Sequence, residues 1–259
     1  MNQSKKMNHD ELQDSEMPLI EHLKELQQRV IRAGIIVLIA MLICFFYYKE
    51  LWLILVGPII KALETTGKGS LSQLKLLDGV INQLKVAGLT GLFFASPAVF
   101  YQGWQFVAPA LLKKENKFII PLAVASTVLF LLGASFGYFI IFDFIFPFLL
   151  EASPENVKAT ISIDDALNTT TKLLFGFGIC FQLPVVAYFC GRAGMIDHKD
   201  LMAFFRYAVV AIFVVSAFLT PPDPISQCLM AIPLTFLYGI SILIVWLTHK
   251  KERDPLLEE

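Results

Sequence analysis

Charged residues withdraw from six stretches of the chain, 33–48, 86–112, 118–142, 173–191, 207–222 and 224–249, and gather between them. A helix needs about 20 apolar residues to cross the ~30 Å hydrocarbon layer of a bilayer, and four of the six stretches meet that length. The stretches 33–48 and 207–222 are shorter. At 1.5 Å per residue the second covers about 24 Å, which predicts thinned lipid beside it and a partner helix docked there. The pattern predicts an all-α polytopic membrane protein with six transmembrane helices, at about 30–48, 86–108, 118–146, 168–190, 204–220 and 225–247. These form one membrane domain over 17–248, between a polar tail 1–16 expected to be disordered and a second tail 249–259.

The polar connections have patterns of their own. Leu19, Leu23, Leu26 and Val30 recur every three or four residues while Glu21 and Glu25 fall on another face, so 17–29 reads as an amphipathic helix running into the first span. Between 49 and 85, apolar residues on both sides of the turn Thr66–Ser70 predict short helices capping one face of the bundle. Pro97, Pro109, Pro121, Pro184 and Pro233 lie in or at the ends of apolar segments, where a missing N–H and a ring clash bend a helix. Several spans are therefore expected to be kinked.

Composition sharpens this picture: 56% of the 259 residues are hydrophobic and 17% charged, which excludes an ordinary water-soluble domain. About two thirds of the 21 lysines and arginines flank the spans on the side of the two termini, which places both termini in the cytoplasm. The first 29 residues do not read as a cleavable signal, nor as an Arg-rich import leader, so a bacterial or archaeal plasma membrane is the expected location. A net charge of -1 gives no basic field for nucleic acid. Cys44, Cys180, Cys190 and Cys228 stand singly in apolar runs, without the spacing of a zinc site or a disulfide framework.

Few residues carry candidate chemistry. Gly133-Ala134-Ser135-Phe136-Gly137 matches the G-x-S-x-G pattern of serine hydrolases, but all four histidines lie outside the apolar cores and no strand precedes the motif. A close-packing Gly133-x-x-x-Gly137 helix face is the better reading. With no P-loop, H-E-x-x-H or dinucleotide fingerprint, neither an enzyme nor a bound cofactor or metal is expected. Asp143 and Lys172 approach the membrane at the same ends of their spans, as interfacial anchors or as a pair across spans 3 and 4. Gln182 lies inside span 4, where its amide needs either a neighbouring helix or a polar group from a partner. Glu25 and Glu115 are acids at the membrane surface, and a partly shielded carboxylate pairs with a guanidinium better than with an ammonium. Neither an internal repeat nor a central charge supports the rival class, a small-solute secondary transporter.

The stretch Ser96-Pro97-Ala98-Val99-Phe100-Tyr101-Gln102-Gly103-Trp104-Gln105-Phe106-Val107-Ala108-Pro109-Ala110-Leu111, followed by Lys113-Lys114-Glu115, closely resembles the signature of the TatC family. Pro18 to Leu26, Phe175 to Gly178 with Pro184, and Thr220-Pro221-Pro222-Asp223 with Ser226-Gln227 resemble it too. The resemblance implies six spans with cytoplasmic termini. It also implies a receptor that binds twin-arginine signal peptides and, with TatA- and TatB-type single-span partners in an oligomeric complex, exports folded proteins on the proton-motive force. Carried over by motif, Glu25 and Glu115 would engage the arginines, Phe106 would stand beside them, and Asp223 would be the acid of the loop between the last two spans. Two positions depart from the pattern. Gln27 follows Glu25-Leu26 where many members have arginine, and Gln182 replaces a titratable glutamate.

Overall fold

The computed structural model describes the backbone of residues 4–67, 69–111, 118–152, 160–220 and 223–253, and their side chains outside 4–23, 108–111 and 249–253. The helices are α1 (Ser4–Phe46), α2 (Tyr48–Thr66), α3 (Asp78–Leu111), α4 (Ile119–Phe136), α5 (Phe142–Glu151), α6 (Ile163–Cys180), α7 (Leu183–Arg192), α8 (His198–Leu219) and α9 (Pro224–Arg253). A π-helical turn, Gly137–Ile141, joins α4 to α5, and a break at Phe181 and Gln182 separates α6 from α7. Among the described residues, six rods are long and apolar enough to cross a membrane: Lys24–Phe46, Asp78–Val107, Ile119–Glu151, Ile163–Arg192, His198–Leu219 and Pro224–Thr248.

These rods extend past the charges that mark their ends in the sequence, because those charges find partners. Lys85 lies about two turns inside α3; its Nζ donates to Asp164 Oδ1 at 2.5 Å and to Asn168 Oδ1 at 2.8 Å on α6. Asp143 accepts twice from Lys61 Nζ of α2, at 3.0 Å each, and the third rod continues to Glu151. Asp197 and Asp200 form a reciprocal capping box, so α8 starts at His198 rather than near 204. The helix α1 starts at Ser4, within the tail expected to be disordered, whose lysine, glutamate and methionine residues are good helix formers.

The segment 49–85 is also more ordered than its pattern predicts. Instead of several short helices it forms one, α2, carrying Pro58 inside and ending on Gly67 at φ 63°, the left-handed conformation that suits glycine. Two three-residue strands follow their helices unannounced: β1 (Ser70–Ser72) pairs in parallel with β2 (Thr160–Ser162), with Leu71 opposite Ile161.

Packing runs from α1 to α3, from α3 to α4, from α4 to α6, and from α7 through α9 to α8, while α2 lies against α3, α5 and α6. The core holds Val56 and Ile59 of α2, Phe142 and Ile145 of α5, Leu173 and Phe177 of α6, and Met230 and Leu234 of α9. Within lipid, such contacts gain from close approach more than from the hydrophobic effect. Glycines supply that approach between α4 and α6: a Cβ on Gly133 would lie 2.6 Å from the Phe177 carbonyl oxygen, and one on Gly178 would lie 2.6 Å from the Phe130 ring. The rod of α1 differs from this centre. Only 6% of its apolar window is buried, against 50% for Ile163–Arg192, so it leans on α3 with little else around it.

Candidate functional site

Glu25 lies on α1 at the start of the first rod, one turn before Arg29, whose Nη2 donates to Glu25 Oε1. The i, i+4 spacing puts both side chains on one helix face. Their surroundings differ: the Glu25 side chain is 48% exposed and that of Arg29 only 14%. Arg29 Nε and Nη1 are buried and have no hydrogen-bond partner among the described residues. The carboxylate of Glu25 thus faces outward while already holding one guanidinium, the group a planar two-oxygen acceptor suits best.

The contact of α1 with α3 sets where this pair sits. A Cβ on Gly91 of α3 would come within 2.7 Å of both Cα and N of Met41, so the two helices touch backbone to backbone there. Further along α3, toward the end that faces the start of α1, Phe106 is half-buried. Glu115 lies outside the described residues, and so does the rest of its loop, 112–117. Beyond that loop, Arg192 at the end of α7 sets its guanidinium carbon 4.4 Å from the centroid of Phe118, a cation–π contact. Nothing in the sequence separates Arg192 from the other cations flanking the spans, because its aromatic partner is 74 positions away.

Gln182 occupies the break between α6 and α7. Its Nε2 donates to the Ser126 carbonyl of α4 at 3.0 Å and to the Gly178 carbonyl at 3.4 Å. The Ser126 hydroxyl oxygen accepts in turn from Trp104 Nε1 of α3 at 2.7 Å, and the Trp104 ring meets Phe189 of α7 edge to face at 4.9 Å. One polar seam therefore crosses three rods, and the amide of Gln182 spends its donor on a neighbouring helix. Trp104 and Ser126, which have no reason to be paired in the sequence, are the members of this seam that pattern reading misses.

Asp223 caps the start of α9, accepting from Ser226 N at 2.6 Å through Oδ2. Its Oδ1 and the Ser226 hydroxyl are buried and have no partner among the described residues, while Gln227 Nε2 reaches back to the Phe213 carbonyl of α8 at 2.8 Å. Asp143 does not meet Lys172, which is exposed; it pairs with Lys61, because α2 folds back beside α5, a register that no spacing along the chain announces. Ser135 is exposed, whereas Gly133 and Gly137 on either side of it turn toward α6, as a packing face requires.

Six apolar rods, crossed by a part-buried amide seam and carrying an outward carboxylate at the start of the first, make this a multi-pass helical membrane protein. Residues 21–233 match the family described as Sec-independent protein translocase protein (TatC). The chain is 38% identical over 233 residues to the Sec-independent protein translocase protein TatC of Helicobacter pylori, covering 90% of each chain. It is 39% identical to that of Aquifex aeolicus, covering 92% of this chain and 98% of the relative, and 34% identical to that of Escherichia coli, covering 87% and 86%. A crystal structure of a twin-arginine translocase receptor, TatC, superposes with a TM-score of 0.77 at 37% identity, covering 86% of this chain and 97% of the other. The chain belongs to the TatC family.

Proposed function

We propose that the chain is the receptor subunit of a twin-arginine protein translocase, binding twin-arginine signal peptides and, with TatA- and TatB-type single-span partners, exporting folded proteins on the proton-motive force. The observation that carries this reading is the match, over 86% of the chain, to a solved twin-arginine translocase receptor. In it, Glu25 and Glu115 receive the two arginines with Phe106 beside them. The Arg29–Glu25 pair supports the assignment, since an arginine already held by Glu25 is the chemistry the peptide would bring.

Both termini face the cytoplasm of a bacterial or archaeal cell, a reading that rests on the excess of cations on their side. On α8, Val210, Val214 and Phe218 are exposed by 62%, 51% and 79% at one-turn spacing, a row suited to a single-span partner helix. Several copies assemble in the receptor complex. Gln182, an amide, takes no part in proton exchange.

Site-specific photo-crosslinking tests the reading. A photoreactive residue next to the twin arginines of a signal peptide should label the full chain near Glu25 in membrane vesicles, and a twin-lysine peptide should label it weakly. Equal labelling by both peptides, or none on α1, would overturn the assignment.

A further inference from the structure

A groove of about 290 Å³ lies between α4, α7 and α9. Phe118 with Leu122 and Leu129 of α4 forms one wall, Val185 and Tyr188 of α7 another, and Ile244 of α9 closes the side. No charged residue lines it among the described residues. From Phe118 to Leu129 is 11 positions, about 16 Å of helix, or half the ~30 Å depth of the hydrocarbon layer. The groove ends there because Gly133, one turn further on the same face of α4, meets Phe181: a Cβ on it would lie 2.7 Å from Phe181 Cγ.

Arg192 stands at the other end. Its guanidinium carbon lies 4.4 Å from the centroid of Phe118, and Phe118 lines the groove. Tyr188, which lines it too, comes one turn before Arg192 on the same face of α7. The groove and the cation are thus joined through two residues. A guanidinium laid face-on to a ring directs its N–H groups outward in its own plane, the direction from which a phosphate accepts two of them. This mouth lies on the side of the C-terminus, since a Cβ on Gly191 would lie 3.1 Å from Val245 Cγ1 in the last third of α9.

We infer that the groove is a phospholipid site, with an acyl chain lying between α4 and α7 and the lipid phosphate on Arg192. An apolar trench one leaflet deep with a cation at its mouth has the dimensions and the polarity of one lipid. A partner helix is about 10 Å wide and crosses the whole layer, so it would overrun the closed end at Gly133. Cationic mouths between spanning helices are where anionic headgroups settle. Arg192 repels an ethanolamine ammonium, and the lining has no carboxylate to hold one, so the site selects an anionic lipid such as phosphatidylglycerol.

Native mass spectrometry of the full chain in mild detergent tests this, with equimolar phosphatidylglycerol and phosphatidylethanolamine of the same acyl chains. Phosphatidylglycerol should be retained preferentially. Arg192→Gln should lower that retention by about tenfold, the effect of losing a charge-assisted hydrogen bond. Ala125→Leu, which fills the groove from its α4 wall and leaves Arg192 in place, should lower retention of both lipids. Lys199→Gln removes an exposed cation from the first turn of α8, outside the groove, and should change nothing. Equal retention of the two lipids by the wild-type chain, or binding that survives either Arg192→Gln or Ala125→Leu, would overturn the site. A photoreactive residue at position 125 should capture phospholipid in native membranes; capture of a protein there would give the groove to a partner helix and overturn it as well. Neither measurement uses a signal peptide, so its failure would leave the receptor reading untouched.

Discussion

Replacing Gly91 by alanine should pull the first rod off the rest of the protein, and the cost can be worked from the contact. The new Cβ would lie 2.7 Å from Met41 Cα and N, and these are backbone atoms that no rotamer change can move. To regain an ordinary 3.4 Å contact, α1 must back away by about 0.7 Å. If it tilts about its junction with α2 at Phe46, Met41 lies about 7.5 Å from the pivot and Glu25 about 31 Å, at 1.5 Å per residue. The displacement then grows about fourfold, to roughly 3 Å at Glu25, enough to separate it from the end of α3. Overpacking of this kind costs about 1–3 kcal/mol. Gly88, three positions earlier on the same helix, has nothing within 4 Å of its Cβ position and serves as the control. Each alanine gains the same helix propensity, about 1 kcal/mol, so the difference between the two variants isolates the clash. The assay is thermal unfolding of the purified chain together with crosslinking yield from a twin-arginine peptide. Gly91→Ala should lie below Gly88→Ala by about 1–3 kcal/mol and label poorly. Equal stability and equal labelling would refute the reasoning.

Replacing Glu25 and Glu115 together by alanine should abolish crosslinking to a twin-arginine peptide while leaving membrane insertion intact; glutamine at both should fail nearly as badly, and unchanged labelling would end the idea. Gln182→Leu removes the donor to the Ser126 carbonyl and should destabilise by about 0.6 kcal/mol, measured by unfolding in detergent and with no change in the pH dependence of export. Asp223→Ala should cost about 1 kcal/mol by uncapping α9, and Asp223→Ser should recover most of it; a serine variant as damaged as the alanine one would mean that the charge, not the cap, matters. Four leucines inserted after Val210 should lengthen the uncharged part of α8, Tyr207–Leu219, from about 20 Å to about 26 Å. Export should fall while signal-peptide labelling persists, and normal export would show that the shortness of this span has no role.

The number and type of the spanning elements were legible because twenty-residue gaps between charges have one physical meaning in a bilayer. Their ends were not. Lys85 and Asp143 look like boundaries along the chain, yet Asp164 and Lys61 neutralise them from helices 79 and 82 positions away. The seam of Trp104, Ser126 and Gln182 was legible only as a lone amide in need of a partner, since three residues on separate rods share no spacing. Gly133 and Gly137 were read as a packing face from their interval alone, and α6 is what they pack on. The β1–β2 pairing left no trace, because three-residue strands are too short for alternation to register. Glu25 stood out as a surface acid, but that Arg29 already occupies it follows only from a continuous helix through both residues.

The π-helical turn at Gly137–Ile141 has a consequence for how the third rod can change over time. An extra residue in one turn moves everything after it round the axis by about 100°, the angle that one α-helical residue subtends. Up to the first residue of the turn, Gly133 and Gly137 look toward Phe177; after it, Phe142 and Ile145 are buried in the core that α2 shares. Tyr138, inside the turn, donates to the Ile54 carbonyl at 2.6 Å. A single-residue deletion there would leave an unbroken α-helix that no longer fits, since one half or the other would present the wrong side. Drift in length is therefore closed to this rod at its middle, although substitution is not, and a deletion could be tolerated only together with a compensating insertion within the same turn.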